Sequence, residues 1–434
     1  MDLQALLRPL RDCPCGREHT MDVHAVEIGE GVLAETARIL SDDGFPKRLL
    51  LVADQNTLAA ANGITDVLER GGFELHVRLY DDLRTADQKD VDAICALLDD
   101  ADGVLSVGTG SLNDICRRAA FLRGKPFAIF ATAPSMDGFA SDTAPITDHH
   151  FKVSLAARQP RVILADTAVL AAAPAVLKGT GFGDMLAKYV ALADWRIAQL
   201  TIGEYYCPRI ADLTREAVRR VAAQADNVQK NDPRTAGEIM QALVMTGVAM
   251  KLCTSSRAAS GAEHVVSHFW ECKKLENGQI SDFHGRKVGV ATRMIAQLYY
   301  DILRDAEPAR FGPDTTDWAK VYAVYGKNFE NDVRRLNTPT VTDETSPAVL
   351  RENWDAICRA VREEIPAPDV LDDLLRRAGA AQTAEDIAVT PDLCVQGLKY
   401  HAYMRHRLLL SRLVPMLGVS PDYRAIAGAD SIHL

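Results

Sequence analysis

The 434-residue sequence predicts an α/β half followed by an all-helical half, and three observations carry that reading. Short aliphatic runs alternate with amphipathic segments as far as Ala165. The strand signal disappears from Thr167 onward. Beyond that point the segments are long and follow a helical period. Strands alternating with helices at this spacing imply a parallel sheet covered on both faces. The break divides the chain into residues 1–166, an α/β domain, and residues 167–434, an all-helical domain.

Residues 47–53 read as a buried strand ending at Asp54, with a helix over 56–69 and the next strand over 73–79. A helix over 91–98 leads to a strand over 103–107, and a helix over 111–122 to a strand over 126–130. Residues 161–165 form the last strand. Residues 185–200 are apolar almost all round, the pattern of a buried helix starting after the glycines of 179–183. Further helices are expected over 212–229, 236–252, 289–303 and 391–417, with a surface loop over 337–347.

Composition narrows the function classes. Apolar residues make up 47% and charged residues 25%, with a formal net charge of −10. Such a surplus argues against a nucleic-acid backbone or an anionic membrane as the main partner. No run of 18 consecutive apolar residues suggests a membrane span. The start, Met1-Asp2-Leu3-Gln4, lacks the pattern of a secretory signal. Nine scattered cysteines do not read as a disulfide framework, so the expectation is a reduced, cytoplasmic protein.

Gly108-Thr109-Gly110-Ser111 ends one strand and opens a helix, where free N–H groups attract phosphate. Asn113 stands where a dinucleotide fingerprint has its third glycine. The next strand runs into Thr132-Ala133-Pro134-Ser135-Met136-Asp137-Gly138, rich in small and hydroxylated residues that leave room for a ligand. Two such turns at adjacent strand ends favour a dinucleotide site. Asp54 reads either as an acceptor for a ribose hydroxyl, which favours NAD over NADP, or as a helix N-cap.

Asp184 and Lys188 interrupt an apolar helix, and a buried carboxylate needs a cation or a metal. His264 and His268, four apart, share one helix face, and His284 precedes Gly285 at another helix start. One carboxylate with two or three imidazoles suits Zn²⁺, Ni²⁺ or Fe²⁺ with a position left open. Cys13, Cys15 and His19 offer a second set, but no fourth donor is near in sequence, so a structural role or none is expected in preference to zinc. His149 and His150 read as a solvated loop, and His401 and His406 as helix-surface residues.

Together Gly108-Thr109-Gly110-Ser111-Leu112-Asn113-Asp114, Thr132 to Gly138, Phe182-Gly183-Asp184, Gly261-Ala262-Glu263-His264 with His268, and Phe283-His284-Gly285 resemble the sn-glycerol-1-phosphate dehydrogenases. These belong to the group III, iron-containing alcohol dehydrogenases, with glycerol dehydrogenase and dehydroquinate synthase. The resemblance implies a Rossmann-like first domain and reduction of dihydroxyacetone phosphate by NAD(P)H. It implies that Gly108, Thr109, Gly110, Ser111 and Leu112 hold the pyrophosphate, and that Thr132, Ala133, Pro134, Ser135 and Ser141 contact the rest of NAD(P). Asp184, His264 and His284 would bind Zn²⁺ or Ni²⁺, Fe²⁺ being less expected. Asp137, Asp184 and His268 would line the substrate site, with Asp137 or His268 moving the proton. Lys188, Arg257 and Lys287 are candidates for the substrate phosphate, and a homodimer is expected. The alternatives are another group III polyol dehydrogenase and a catalytically silent NAD-binding scaffold.

Overall fold

In the computed structural model, which describes residues 1–148, 151–305 and 310–429, a six-stranded parallel sheet organises the first half. A short helix α1 (Leu3–Leu7) precedes β1 (Ala25–Gly29) and α2 (Val32–Asp42). β2 (Arg48–Asp54) leads through α3 (Gln55–Ala60) and α4 (Ile64–Arg70) to β3 (Glu74–Tyr80). Then follow α5 (Gln88–Leu97), β4 (Gly103–Gly108), α6 (Gly110–Arg123) and β5 (Phe127–Ala131). An antiparallel hairpin of β6 (Thr143–Asp148) and β7 (Phe151–Ala156) stands apart before β8 (Val162–Asp166).

Period-two alternation explains why these strands read as continuous apolar runs. Leu49, Leu51 and Ala53 of β2 belong to one buried cluster with Leu40 and Leu68. Leu50 and Val52 belong to the other, with Ile94 and Ile115. The strand order is β1-β8-β5-β4-β2-β3. β2 connects outward to β3 and β4 connects to β5 on the opposite side, so the order reverses between β2 and β4. Ligands in open α/β sheets bind beyond the carboxyl ends of the strands at such a reversal. Asp54 and Gly108 end the two strands that flank it.

The helical half comprises α7 (Thr167–Ala171), α8 (Ala175–Ile202), α9 (Pro208–Ala222), α10 (Pro233–Cys253), α11 (Ala262–Glu276), α12 (His284–Asp305) and shorter helices beyond. Among the described residues no strand follows Asp166. α10 is long and apolar enough to cross a bilayer by length and composition, with mean hydropathy 1.2, which amends the expectation from the sequence. Its apolar window is 78% buried inside the fold, as a core helix requires.

Several elements differ from the expectations. Residues 56–69 form two helices, because Gly63 sits at φ +89° and breaks the path. α8 begins before its glycines rather than after them. α9 stops at Ala222, and residues 391–417 are helical over Pro391–Tyr400, break into 3₁₀ turns, and resume as a single α-helical turn over Val414–Leu417. Residues 337–347 hold a 3₁₀ turn with Val341 and Thr342 buried. β1 and the β6–β7 hairpin give weak sequence signals, since β1 alternates with exposed Glu27 and β6 carries Pro145.

His401 is buried, not on a helix surface. Its Nδ1 lies 3.0 Å from the Gly397 carbonyl, and its Nε2 lies 2.8 Å from Ser411 Oγ. Because a carbonyl only accepts, Nδ1 carries the proton and Nε2 accepts from Ser411. His406 is exposed as expected, although it lies outside any helix, and His149 and His150 lie outside the described residues.

Candidate active site

A cavity of about 700 Å³ lies where the carboxyl ends of the strands meet the helical half. From the first half it is lined by Asp54, Thr109, Gly110, Ser111, Leu112, Ser135, Asp137 and Ser141. His264, His268, Glu271, His284 and Lys287 line it from α11 and α12, and Arg405 and Arg407 from the C-terminal segment.

The glycine-rich turn opens onto the cavity through Thr109, Gly110, Ser111 and Leu112. Thr109 is the extended N-cap of α6, and no side chain caps the first turn. The first N–H groups of a 14-residue helix therefore face the cavity, a setting that favours an anion. Gly108 plays another part: a Cβ there would lie 2.4 Å from Leu112 Cδ1. Asn113 is buried and its Oδ1 accepts from Ser106 Oγ at 2.7 Å, tying α6 to β4. Asp54 forms a capping box with Thr57, whose N–H donates to Asp54 Oδ1 at 2.8 Å, while the residue still lines the cavity.

Thr132, Ala133 and Pro134, read from the sequence as cofactor contacts, are absent from the cavity lining. Of the three, Pro134 packs its backbone carbonyl against α8. A Cβ on Gly181 would fall 1.8 Å from the Pro134 carbonyl oxygen, so the helix needs glycine there for the turn to approach.

Close helix packing also assembles a cluster of side chains that could hold a metal ion. A Cβ on Gly285 would lie 2.1 Å from the Thr180 carbonyl oxygen and 2.9 Å from Asp184 Cβ. Glycine there lets the first turn of α12 close on α8 and brings His284 beside Asp184. α11 supplies His264, whose Nε2 lies 3.5 Å from Asp184 Oδ1. One donor atom from each of Asp184, His264 and His284 lies within 4.8 Å of the others. Glu263, which the sequence reading overlooked, holds His264 Nδ1 at 2.7 Å and fixes Nε2 as the free nitrogen.

The electrostatics of this cluster fit a divalent cation. Burial opposes ionisation of Asp184, but Lys188 and the two histidines hold its carboxyl well below the usual range. Burial, with His264 and nearby lysines, pushes His284 down to about 3, so its imidazole is neutral as a ligand must be. His284 Nδ1 is buried without a hydrogen-bond partner among the described residues. Against burial, Asp184 and Glu263 raise His264 to about 9, which reflects the demand for positive charge at this point.

His268 stands outside the three-donor set, with its ring 6.3 Å from His264 and 5.8 Å from His284. The i,i+4 spacing left metal or substrate open for it, and the fold separates it from the donors. Burial and the charges of Lys152 and Arg405 push it well below the ordinary histidine range. Asp137 lines the cavity, and its N–H donates to Asp184 Oδ2 at 2.9 Å. Its carboxyl is raised by burial and by the charge of Asp184.

Two of the three cations proposed for phosphate are committed elsewhere. Lys188 is fully buried, 2.7 Å from Asp137 Oδ2 and 2.9 Å from Asp184 Oδ1. Arg257 pairs with Glu204 at 2.5 Å and donates to the Leu408 carbonyl. Lys287 does line the cavity, yet it pairs with Glu271 at 2.9 Å. The sequence reading missed Lys152, Arg405 and Arg407, which also line it. Lys152 shares Glu271 at 3.0 Å. Among the described residues, no ion pair within 4.0 Å engages Arg405 or Arg407; Arg407 donates to the Ser260 carbonyl and to Ser256 Oγ.

Comparison with known proteins gives the same picture. A sequence model of the iron-containing alcohol dehydrogenase family matches residues 27–174. The glycerol-1-phosphate dehydrogenase [NAD(P)+] of Geobacillus stearothermophilus is 30% identical over 417 residues, covering 94% of this chain and 96% of that protein. The corresponding protein of Geobacillus thermodenitrificans is 31% identical over 408 residues, or 93% of each chain. In fold, the chain is similar to a probable glycerol dehydrogenase from Sinorhizobium meliloti 1021, with a TM-score of 0.63 at 15% identity over 94% of this chain and 98% of that one. On sequence identity across nearly its whole length, the chain belongs to the glycerol-1-phosphate dehydrogenase family, within the iron-containing alcohol dehydrogenases.

Proposed function

We propose that the chain reduces dihydroxyacetone phosphate to sn-glycerol 1-phosphate with NAD(P)H, and runs the reverse oxidation. One observation carries this reading: an uncapped helix start, a three-donor cluster and several half-buried or buried cations converge on one cavity. NAD(P)H supplies hydride, and a divalent cation held by Asp184, His264 and His284, Zn²⁺ or Ni²⁺, supplies Lewis-acid polarisation of a carbonyl.

The chain's own groups supply binding, orientation and proton handling. N–H groups of the first turn of α6 take the cofactor pyrophosphate. Asp54 accepts from a ribose hydroxyl and repels a 2′-phosphate, which favours NAD. Ser135 and Ser141 contact the rest of the cofactor from the facing wall. Arg405 and Arg407, with Lys152 and Lys287 behind them, hold the substrate phosphate, since a guanidinium fork matches two phosphate oxygens. Lys188, clamped between Asp137 and Asp184, keeps both carboxylates in place beneath the substrate.

His268 and Asp137 are placed to exchange the hydroxyl proton. Burial first, and then the charges of Lys152 and Arg405, keep His268 neutral, and a phosphate dianion beside those two cations would offset only their part of the depression. The family resemblance further suggests a cytoplasmic homodimer, which sedimentation equilibrium checks.

The test is NADH oxidation by metal-stripped protein with dihydroxyacetone phosphate, restoring Zn²⁺ or Ni²⁺ in turn, followed by chiral analysis of the product. Metal-dependent formation of sn-glycerol 1-phosphate is the expected result. Folded protein that binds NADH yet turns over only unphosphorylated alcohols would overturn the substrate assignment.

A further inference from the structure

A second group of metal-ligating side chains lies apart from the cavity. Cys13, Cys15 and His19 sit on the N-terminal segment, and the fold brings Cys207, from the loop before α9, against them. Cys13 Sγ lies 3.5 Å from Cys207 Sγ. His19 Nε2 lies 3.2 Å from Cys15 Sγ and 4.0 Å from Cys207 Sγ. All four donor atoms fall within 4.8 Å of one another. A tetrahedral Zn²⁺ with Zn–S of about 2.3 Å and Zn–N of about 2.0 Å has edges of roughly 3.5–3.8 Å between donors, and the observed separations straddle that range.

The surroundings prepare the donors. His19 Nδ1 donates to the Leu252 carbonyl at 2.7 Å, which fixes the proton on Nδ1 and leaves the Nε2 lone pair facing the sulfurs. Tyr205 donates its hydroxyl to Cys15 Sγ at 3.3 Å, as suits a thiolate. Cys207 is the N-cap of α9, a position that holds its sulfur against the N-terminal segment. Cys207 and His19 are buried, and Cys13 and Cys15 half-buried, so the group is not a chance surface cluster.

We infer that Cys13, Cys15, His19 and Cys207 form a structural Zn²⁺ site, distinct from the Asp184–His264–His284 cluster, that clips the N-terminal segment to the helical half. Four protein donors leave no position for substrate, which makes the site a brace. Through His19 it grips Leu252 near the end of α10, a few residues before Ser256 and Ser260 of the cavity wall. Zn²⁺ binding displaces the thiol protons to solvent, with no change of oxidation state.

Metal analysis with zinc K-edge absorption on the purified full chain tests this, independently of activity. The expected result is one zinc per chain in a sulfur-rich shell, retained in His264→Ala and lost in the Cys13→Ser/Cys207→Ser double variant. Should that variant fail to fold, the unsubstituted protein decides. Titrating its thiols with an organomercurial should release one zinc per chain to a chromophoric chelator, and Co²⁺ substitution should give thiolate-to-metal charge-transfer absorption. A Cys13–Cys207 disulfide in unreduced peptides would overturn the site. So would cysteines that are freely alkylated in native zinc-replete protein, or loss of all sulfur-bound zinc in His264→Ala.

Discussion

The cluster around Asp184 and the cluster around Cys207 both gather donors from distant parts of the chain, and they are built on opposite plans. The first offers one carboxylate and two imidazoles on three helices, with His264 and His284 lining a cavity of about 700 Å³. The second offers three sulfurs and one imidazole, closed over by Tyr205 and Leu252. Three donors facing open space leave a coordination position for a substrate oxygen, whereas four donors in a closed shell hold only the metal. The difference lies in access, and it separates a site for chemistry from a site for bracing.

His264→Ala is the substitution that breaks this comparison most directly. Losing several kcal/mol of electrostatic stabilisation should cut kcat/KM by about three orders of magnitude, while sulfur-bound zinc stays at its original stoichiometry. Steady-state kinetics and metal analysis on one preparation check both halves. Equal loss of both metals would show one coupled site in place of two.

The next effect concerns the charge balance beneath the first cluster. Lys188→Met leaves Asp137 and Asp184 facing each other without their shared ammonium. Removing one partner of a buried ion pair costs about 3–5 kcal/mol. The urea midpoint of chelated protein should fall accordingly, and an unchanged midpoint would show that the triad is not needed for stability.

A buried histidine in neither cluster calibrates the acid response. Burial lowers His401 from 6.5 to about 4. A depressed folded-state value means its contribution is present above the unfolded value and is lost as pH falls from about 6.5 toward 4. The full window amounts to about 3 kcal/mol. The pH dependence of the urea midpoint should flatten over that range in His401→Gln, and identical slopes would remove His401 as the cause.

The smallest effect separates substrate binding from chemistry. Arg405→Gln or Arg407→Gln removes one charge-assisted contact, worth about 1.5–3 kcal/mol, which should raise KM for dihydroxyacetone phosphate roughly tenfold to a hundredfold. Unphosphorylated dihydroxyacetone should show no comparable change. A fall in kcat alone would place these arginines away from the phosphate.

Much of this was legible in the chain itself. Continuous apolar runs marked β2, β4, β5 and β8, because strands buried on both faces have no polar alternation. The uncapped glycine turn before α6 and the three donors Asp184, His264 and His284 were found from local spacing and a family resemblance. Signals failed where local preference was overridden. Glycines within α8 looked like a helix boundary, yet they are sites of close approach to the Pro134 turn and to α12.

By itself, then, the sequence determined most of the order of strands and helices, the glycine turn before α6 and the residue types of the three-donor cluster. Only the tertiary structure decided that Cys207 completes a set begun 194 residues earlier at Cys13. It also decided that His268 stands off the donor set, and that Arg405 and Arg407 reach the cavity in place of Lys188 and Arg257. The physical reason is range. Periodicity, capping and i,i+4 spacing act within a few turns of chain, whereas burial and charge pairing are settled by whichever distant segments the core packs together.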